Sequence, residues 1–143
     1  GVPHIPFEAL DADYEIDKEA YQEYFRKMHQ LFPKCKKMLM AVRNQIASSH
    51  HTLSGLLYDA VEDQLYTTRI YDIEPIVDPM GVGDAFIAAY IHAHQKWGDK
   101  NQYCLDFSLS ASAIKNTVPG DQNLVTEEEI INNMTSSGGR IQR

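Results

Sequence analysis

The chain has 143 residues, 43% of them hydrophobic and 23% charged, with a formal net charge of −7. That length allows one domain of ordinary size, whose core forms without disulfide or metal staples. The acidic balance, 20 Asp and Glu against 13 Lys and Arg, argues against a surface that coats nucleic acid, because neutralising phosphates takes clustered Lys and Arg.

The longest purely apolar run is Ala85–Ile91, far short of the roughly 20 residues that span a bilayer. No basic-then-apolar leader opens Gly1-Val2-Pro3-His4, and the two cysteines, Cys35 and Cys104, lack paired-thiol spacing. The expectation is a reduced, cytoplasmic setting with no membrane contact.

Residues 1–16 read as irregular and acidic. Asp17 then suits an N-cap, and Tyr21, Tyr24, Phe25, Met28, Leu31 and Phe32 follow at helical spacing until Pro33. Lys37–Arg43, rich in Met, Leu and Val, predicts a buried strand. Gly55–Ala60 and Gln64–Tyr71 predict two more, joined by a hairpin turn at Glu62-Asp63. Ile73–Val77 predicts a further short strand.

From Asp84 the period changes. Phe86, Ala89, Tyr90, Ala93 and Trp97 form the stripe of an amphipathic helix. Cys104–Ile114 reads as a deeply buried second helix, in which Cys104 is a small packed hydrophobe. Thr126-x-x-Glu129 is a capping box opening a last helix with Ile130, Ile131 and Met134 inside. The Glu127-Glu128-Glu129 run reads as a solvated first turn, and the tail Ser136–Arg143 as frayed. Helices packed on a sheet give an α/β or α+β layer structure. With so few strands before its glycine-rich turn, the chain reads as the C-terminal part of something longer.

The stretch that carries chemistry is Val77-Asp78-Pro79-Met80-Gly81-Val82-Gly83-Asp84-Ala85-Phe86. Two glycines let the backbone turn sharply and let a ligand approach the main chain. The helix that follows presents unpaired N–H groups and a partial positive charge, suited to a phosphoryl oxygen. Asp84, in its first turn, is placed to take a proton from a hydroxyl held beside that phosphate. The competing reading makes Asp84 a plain helix cap and the glycines a connector. A dinucleotide fingerprint is excluded, because its third glycine is replaced by Phe86, and no Walker Gly-Lys-Ser/Thr is present.

Asp78-Pro79-Met80-Gly81-Val82-Gly83-Asp84-Ala85-Phe86 resembles the second signature of the ribokinase-like (PfkB) carbohydrate kinases, D-T-x-G-A-G-D-x-F. His50–Asp59 and Thr117-Val118-Pro119-Gly120-Asp121-Gln122-Asn123 add a likeness to bacterial 2-keto-3-deoxygluconate kinases. The resemblance implies the C-terminal part of a three-layer α/β/α fold, with residues 1–143 as the nucleotide-binding and catalytic portion. It implies Asp84 as the catalytic base and the turn Gly81, Val82 and Gly83 as the anion hole for the γ-phosphoryl group. Asn116, Gly120 and Arg43 match nucleotide-binding positions. Asp78 matches a residue that orders the turn or a neighbouring monovalent-cation site. Pro79 stands where the family has Thr, removing a hydroxyl and a backbone donor. Val82 stands where it has Ala, which a main-chain anion hole tolerates.

The implied activity is ATP-dependent phosphorylation of 2-keto-3-deoxygluconate, an acidic sugar, at its 6-hydroxyl, with Mg²⁺ and a monovalent cation such as K⁺. The family's N-terminal glycine signature, lid strands, sugar-binding residues and Asn-x-x-Glu magnesium motif are not in this sequence. The expectation is therefore that the chain alone is inactive and that it partners the N-terminal portion of the same kinase, in a homo-oligomer. Two alternatives stay open: another PfkB kinase, fructokinase- or ribokinase-like, and a non-catalytic nucleotide-binding module. A resident protein-metal site is not expected. His92 and His94, two apart on a helix, face different sides, and His50-His51 lack a partner at metal spacing.

Overall fold

Asp17 starts the described structure by accepting a hydrogen bond from the backbone N–H of Ala20 at 3.1 Å, which caps α1 (Lys18–Leu31). The computed structural model describes residues 17–47, 49–76, 81–117, 126–135 and 140–141. After α1 come β1 (Lys37–Ala47), β2 (His50–Asp59), β3 (Gln64–Thr67) and β4 (Tyr71–Ile73). Then follow α2 (Val82–Trp97), α3 (Asn101–Lys115), α4 (Glu127–Thr135) and β5 (Arg140–Ile141).

The sheet is organised around β2. One edge pairs antiparallel with β1, from Lys37↔Asp59 to Ala47↔His50. The other edge is shared: β3 pairs with Leu56–Asp59 and β4 with His51–Leu53, both antiparallel. Gly55 lies between these two contacts. Its N–H donates to Thr68 Oγ1 at 2.9 Å and its carbonyl accepts from Thr68 N–H at 3.0 Å, so the gap costs no unpaired backbone group. β5 pairs parallel with β4, so two residues of the segment expected to fray belong to the sheet.

Side-chain alternation along β2 builds the layers. Leu56 and Tyr58 pack with Phe25 of α1, Val42 and Leu65 on one face. Leu53 and Leu57 pack with Tyr71, Ile73, Phe86, Leu105, Leu109 and Ala113 on the other, under α2 and α3. Gly55 faces α3, where an added Cβ would stand 3.3 Å from Leu105 Cδ1 and 3.4 Å from Leu109 Cδ1. A side chain there would crowd these two leucines, which would have to shift by a few tenths of an ångström. The result is the expected three-layer α/β/α arrangement.

Several boundaries moved. The predicted Lys37–Arg43 strand runs on to Ala47, and the predicted Gly55–Ala60 strand begins at His50. Polar residues such as Asn44 and Thr52 enter because each strand supplies the other's hydrogen bonds, whatever the side chain. The predicted Gln64–Tyr71 strand is broken into β3 and the start of β4, with Thr68 as the break. Ile73 ends β4, short of the predicted Ile73–Val77 run, and Val77 lies outside the described residues.

Candidate functional site

The N-terminus of α2 is built on a glycine. Gly81 is the N-cap with φ 80° and ψ 3°, the left-handed region where a side chain strains the backbone. Its carbonyl accepts the first intrahelical bond, from Ala85 N–H at 2.8 Å. Among the described residues no side chain caps this helix, and the N–H groups of Val82, Gly83 and Asp84 open it without an intrahelical partner. Gly83 and Asp84 are exposed, and a Cβ added to Gly83 would meet no atom of the described residues within 4 Å. The plain-cap reading of Asp84 loses its footing here, since the cap position belongs to Gly81.

Two helices frame that turn. α2 and α3 run antiparallel through a turn at Gly98 (φ 60°), so the start of α2 meets the end of α3. Ser112 Oγ donates to the carbonyl of Val82 at 3.1 Å, and Asn116 Nδ2 donates to the carbonyl of Ser112 at 3.0 Å. Asn116 is thus near the turn, but it is buried and its amide nitrogen is committed inside the last turn of α3. Ser112 is a residue that sequence reading missed. Nothing distinguishes it from the neighbouring Ser108 and Ser110 until the helices are packed.

The sheet delivers Arg43 to the same end. Gly55 faces Leu105 and Leu109, while Asp59 Oδ2 accepts from Asn101 Nδ2 at 2.9 Å. So β2 runs antiparallel to α3, and the start of β2 lies at the Asn116 end. β1 pairs antiparallel with β2, which brings Arg43, opposite Leu53, to that end as an exposed residue. Asp78 and Gly120, with Pro79 and Met80, lie outside the described residues.

The opposite end is structural. Asp63 accepts from Arg26 Nε at 2.9 Å, Arg26 Nη2 at 2.8 Å and Tyr58 Oη at 2.6 Å. The Arg26 hydrogen bonds hold the Asp63 carboxyl below the usual carboxylate range, and burial with the Asp63 contact pushes Tyr58 up to about 12. Glu127, expected to be merely solvated, accepts from Lys96 Nζ at 2.6 Å and hydrogen-bonds His92 Nε2 at 2.8 Å, pinning α4 to α2.

No family profile matches the chain, and no curated protein matches it. Solved structures do. The 2-dehydro-3-deoxygluconokinase of Thermotoga maritima superposes with a TM-score of 0.77 at 27% identity, over 84% of this chain and 35% of its own. A PfkB family carbohydrate kinase of Listeria grayi gives 0.75 at 29% identity, over 80% and 35%. A protein of Enterococcus faecalis with a proposed assignment as a 2-keto-3-deoxygluconate kinase gives 0.69 at 18% identity, over 97% and 38%, a likeness of fold alone. The chain therefore spans little more than a third of the length of the kinases it matches. In tertiary structure as in its Gly81–Asp84 signature, it resembles the PfkB carbohydrate kinases, the 2-dehydro-3-deoxygluconokinases among them.

Proposed function

We propose that this chain is the C-terminal, nucleotide-holding and base-bearing portion of an ATP-dependent sugar kinase acting on 2-keto-3-deoxygluconate. The observation that carries the reading is the α2 N-terminus on left-handed Gly81, uncapped by any described side chain, with Asp84 in the same first turn. The N–H groups of that turn hold the γ-phosphoryl oxygens, where charge redistributes in the transition state. The sugar 6-hydroxyl gives its proton to the Asp84 carboxylate as its oxygen bonds the γ-phosphorus. The bond to the β,γ-bridging oxygen breaks, and ADP leaves.

Asn116, Gly120 and Arg43 contribute to the nucleotide site, and Asp78 orders the turn or a monovalent-cation site such as one for K⁺. Among the described residues no group of three or more His, Cys, Asp or Glu is placed to hold a metal ion. The sugar-reading elements belong to the remaining length of the relatives, and the chain alone does not turn over.

The test is calorimetric titration of ATP into the chain, beside kinase assays of the chain alone and of the chain joined to a relative's N-terminal portion. Binding without turnover alone, and turnover when joined, is the expected result. Absence of ATP binding overturns the reading. Binding with no turnover in the joined protein favours the nucleotide-binding module instead.

A further inference from the structure

His51 is buried, only 5% exposed, and among the described residues neither Nδ1 nor Nε2 has a hydrogen-bond partner. A buried imidazole is ordinarily satisfied, and leaving one unmade is costly. Its position in the sheet follows from the strand register. His51 alternates with Leu53 and Leu57, so its ring points to the sheet face covered by α2 and α3. Because β2 runs antiparallel to α3, His51 lies towards the end where α3 finishes and α2 begins.

The neighbouring strand leads to the same place. His51 is opposite Ile73 of β4, and Ile76 N–H donates to the carbonyl of Ser49 at 2.9 Å, five residues before Gly81. Arg43 sits on the same sheet face as His51, diagonal to it across the β1–β2 pair, while Val42 faces α1. Burial, with the charge of Arg43, lowers the His51 pKa, so the ring is held neutral, with one N–H to donate. A cationic guanidinium, an imidazole without a partner and an uncapped helix N-terminus thus share one end of one sheet face. An anion with several oxygens answers all three.

We propose that His51 donates a hydrogen bond to the polyphosphate of a nucleotide held at the α2 N-terminus, with Arg43 as its neighbouring cation. The proposal rests on the nucleotide reading above and adds a phosphate-contacting residue to it.

The experiment measures binding of ATP, inorganic tripolyphosphate and adenosine to the wild-type chain, His51→Leu and His51→Asn. His51→Leu is expected to weaken ATP and tripolyphosphate about tenfold, the loss of a hydrogen bond to a charged group, and to leave adenosine within about twofold. His51→Asn, which keeps a donor, stays within about threefold for all three. The ligand-free melting temperature of His51→Leu is expected to hold or rise, since an unpartnered polar group is removed. Equal ATP binding by His51→Leu and wild type overturns the role of His51 alone, as does a parallel loss for adenosine. Failure of the wild type to bind either phosphate probe overturns the nucleotide reading, and this proposal with it. Should His51→Leu not fold, the His51 ring ¹⁵N resonances of the wild type decide: they move on adding tripolyphosphate, and unmoved resonances overturn the proposal.

Discussion

Ser112 of α3 donates its hydroxyl to the carbonyl of Val82, the first residue of α2, at 3.1 Å. That bond fastens the turn bearing Asp84 to the most buried helix of the molecule, in which Leu105, Phe107, Leu109, Ala111 and Ala113 are all at most 1% exposed. On the proposed reading this turn holds a transferring group and must not wander, because small displacements of reacting groups are expensive in rate. Ser112→Ala is expected to cost about 1 kcal/mol of stability, the usual net worth of one such bond, read as a lower denaturation midpoint with unchanged slope. An unchanged midpoint would remove Ser112 from this role.

Gly83→Ala separates a ligand-approach role from a connector role. The described residues leave room for the methyl group, with none of their atoms within 4 Å of it. Alanine is also the better helix former by about 1 kcal/mol. The expected outcome is equal or higher stability with ATP affinity reduced at least tenfold, because the methyl occupies the space a phosphoryl oxygen needs. Retained affinity would mean that the turn is only a connector.

Asp84→Asn, in a chain joined to the upstream portion, tests the base. The N-cap is Gly81, so the substitution removes no cap, and the melting temperature should move little. General-base removal costs roughly 10²–10⁴-fold in rate, whereas ATP affinity stays within a few-fold because the turn binds through main chain. More than about a tenth of the wild-type kcat, above anything a lost base allows, would eliminate Asp84 as the base.

Acid and alkaline stability should both report on the hairpin at Asp63. Its carboxyl titrates lower in the folded chain than in the unfolded one, so its stabilisation is present above the unfolded value of about 4 and is lost as pH falls through the lower folded one. Tyr58 is the mirror case. Its contribution is whole below the unfolded value of about 10 and is lost as pH rises through about 12. Asp63→Asn is expected to flatten the acid limb of the stability curve and to bring the Tyr58 titration down, followed by ultraviolet absorbance. Curves that superpose on the wild type would show the contact to be without energetic consequence.

The outer edge of β1 pairs with no strand among the described residues, and Ile87 and Ile91 of α2 are each about half exposed. An eleven-residue edge presents open N–H and C=O groups. The chain is expected to self-associate with rising concentration, and to associate less when an N-terminal portion from a relative is supplied. Light scattering that finds a strict monomer at high concentration would contradict this.

Local chemistry alone placed much of this molecule. Asp17 caps its helix, Thr126 accepts from the backbone of Glu129 at 3.1 Å, and the Phe86–Ala89–Ala93 stripe is buried. Each of these depends on neighbours three or four residues away, and so did the glycine-rich turn before Asp84. Strand limits did not, since the reach of β1 to Ala47 and the start of β2 at His50 were set by each other's backbone hydrogen bonds. The break at Thr68 likewise needed Gly55, 13 residues away, as its partner. Ser112 went unnoticed, and His51 was weighed only as a metal ligand, for the same reason. A serine on a small-residue helix and a histidine in a strand acquire meaning only when packing puts one against Val82 and buries the other without a partner. The sequence by itself determined where the glycine turn ends and α2 begins, because helix starts and glycine conformations are local. Only the tertiary structure decided what surrounds that turn, because burial and cross-strand register are properties of the packed chain.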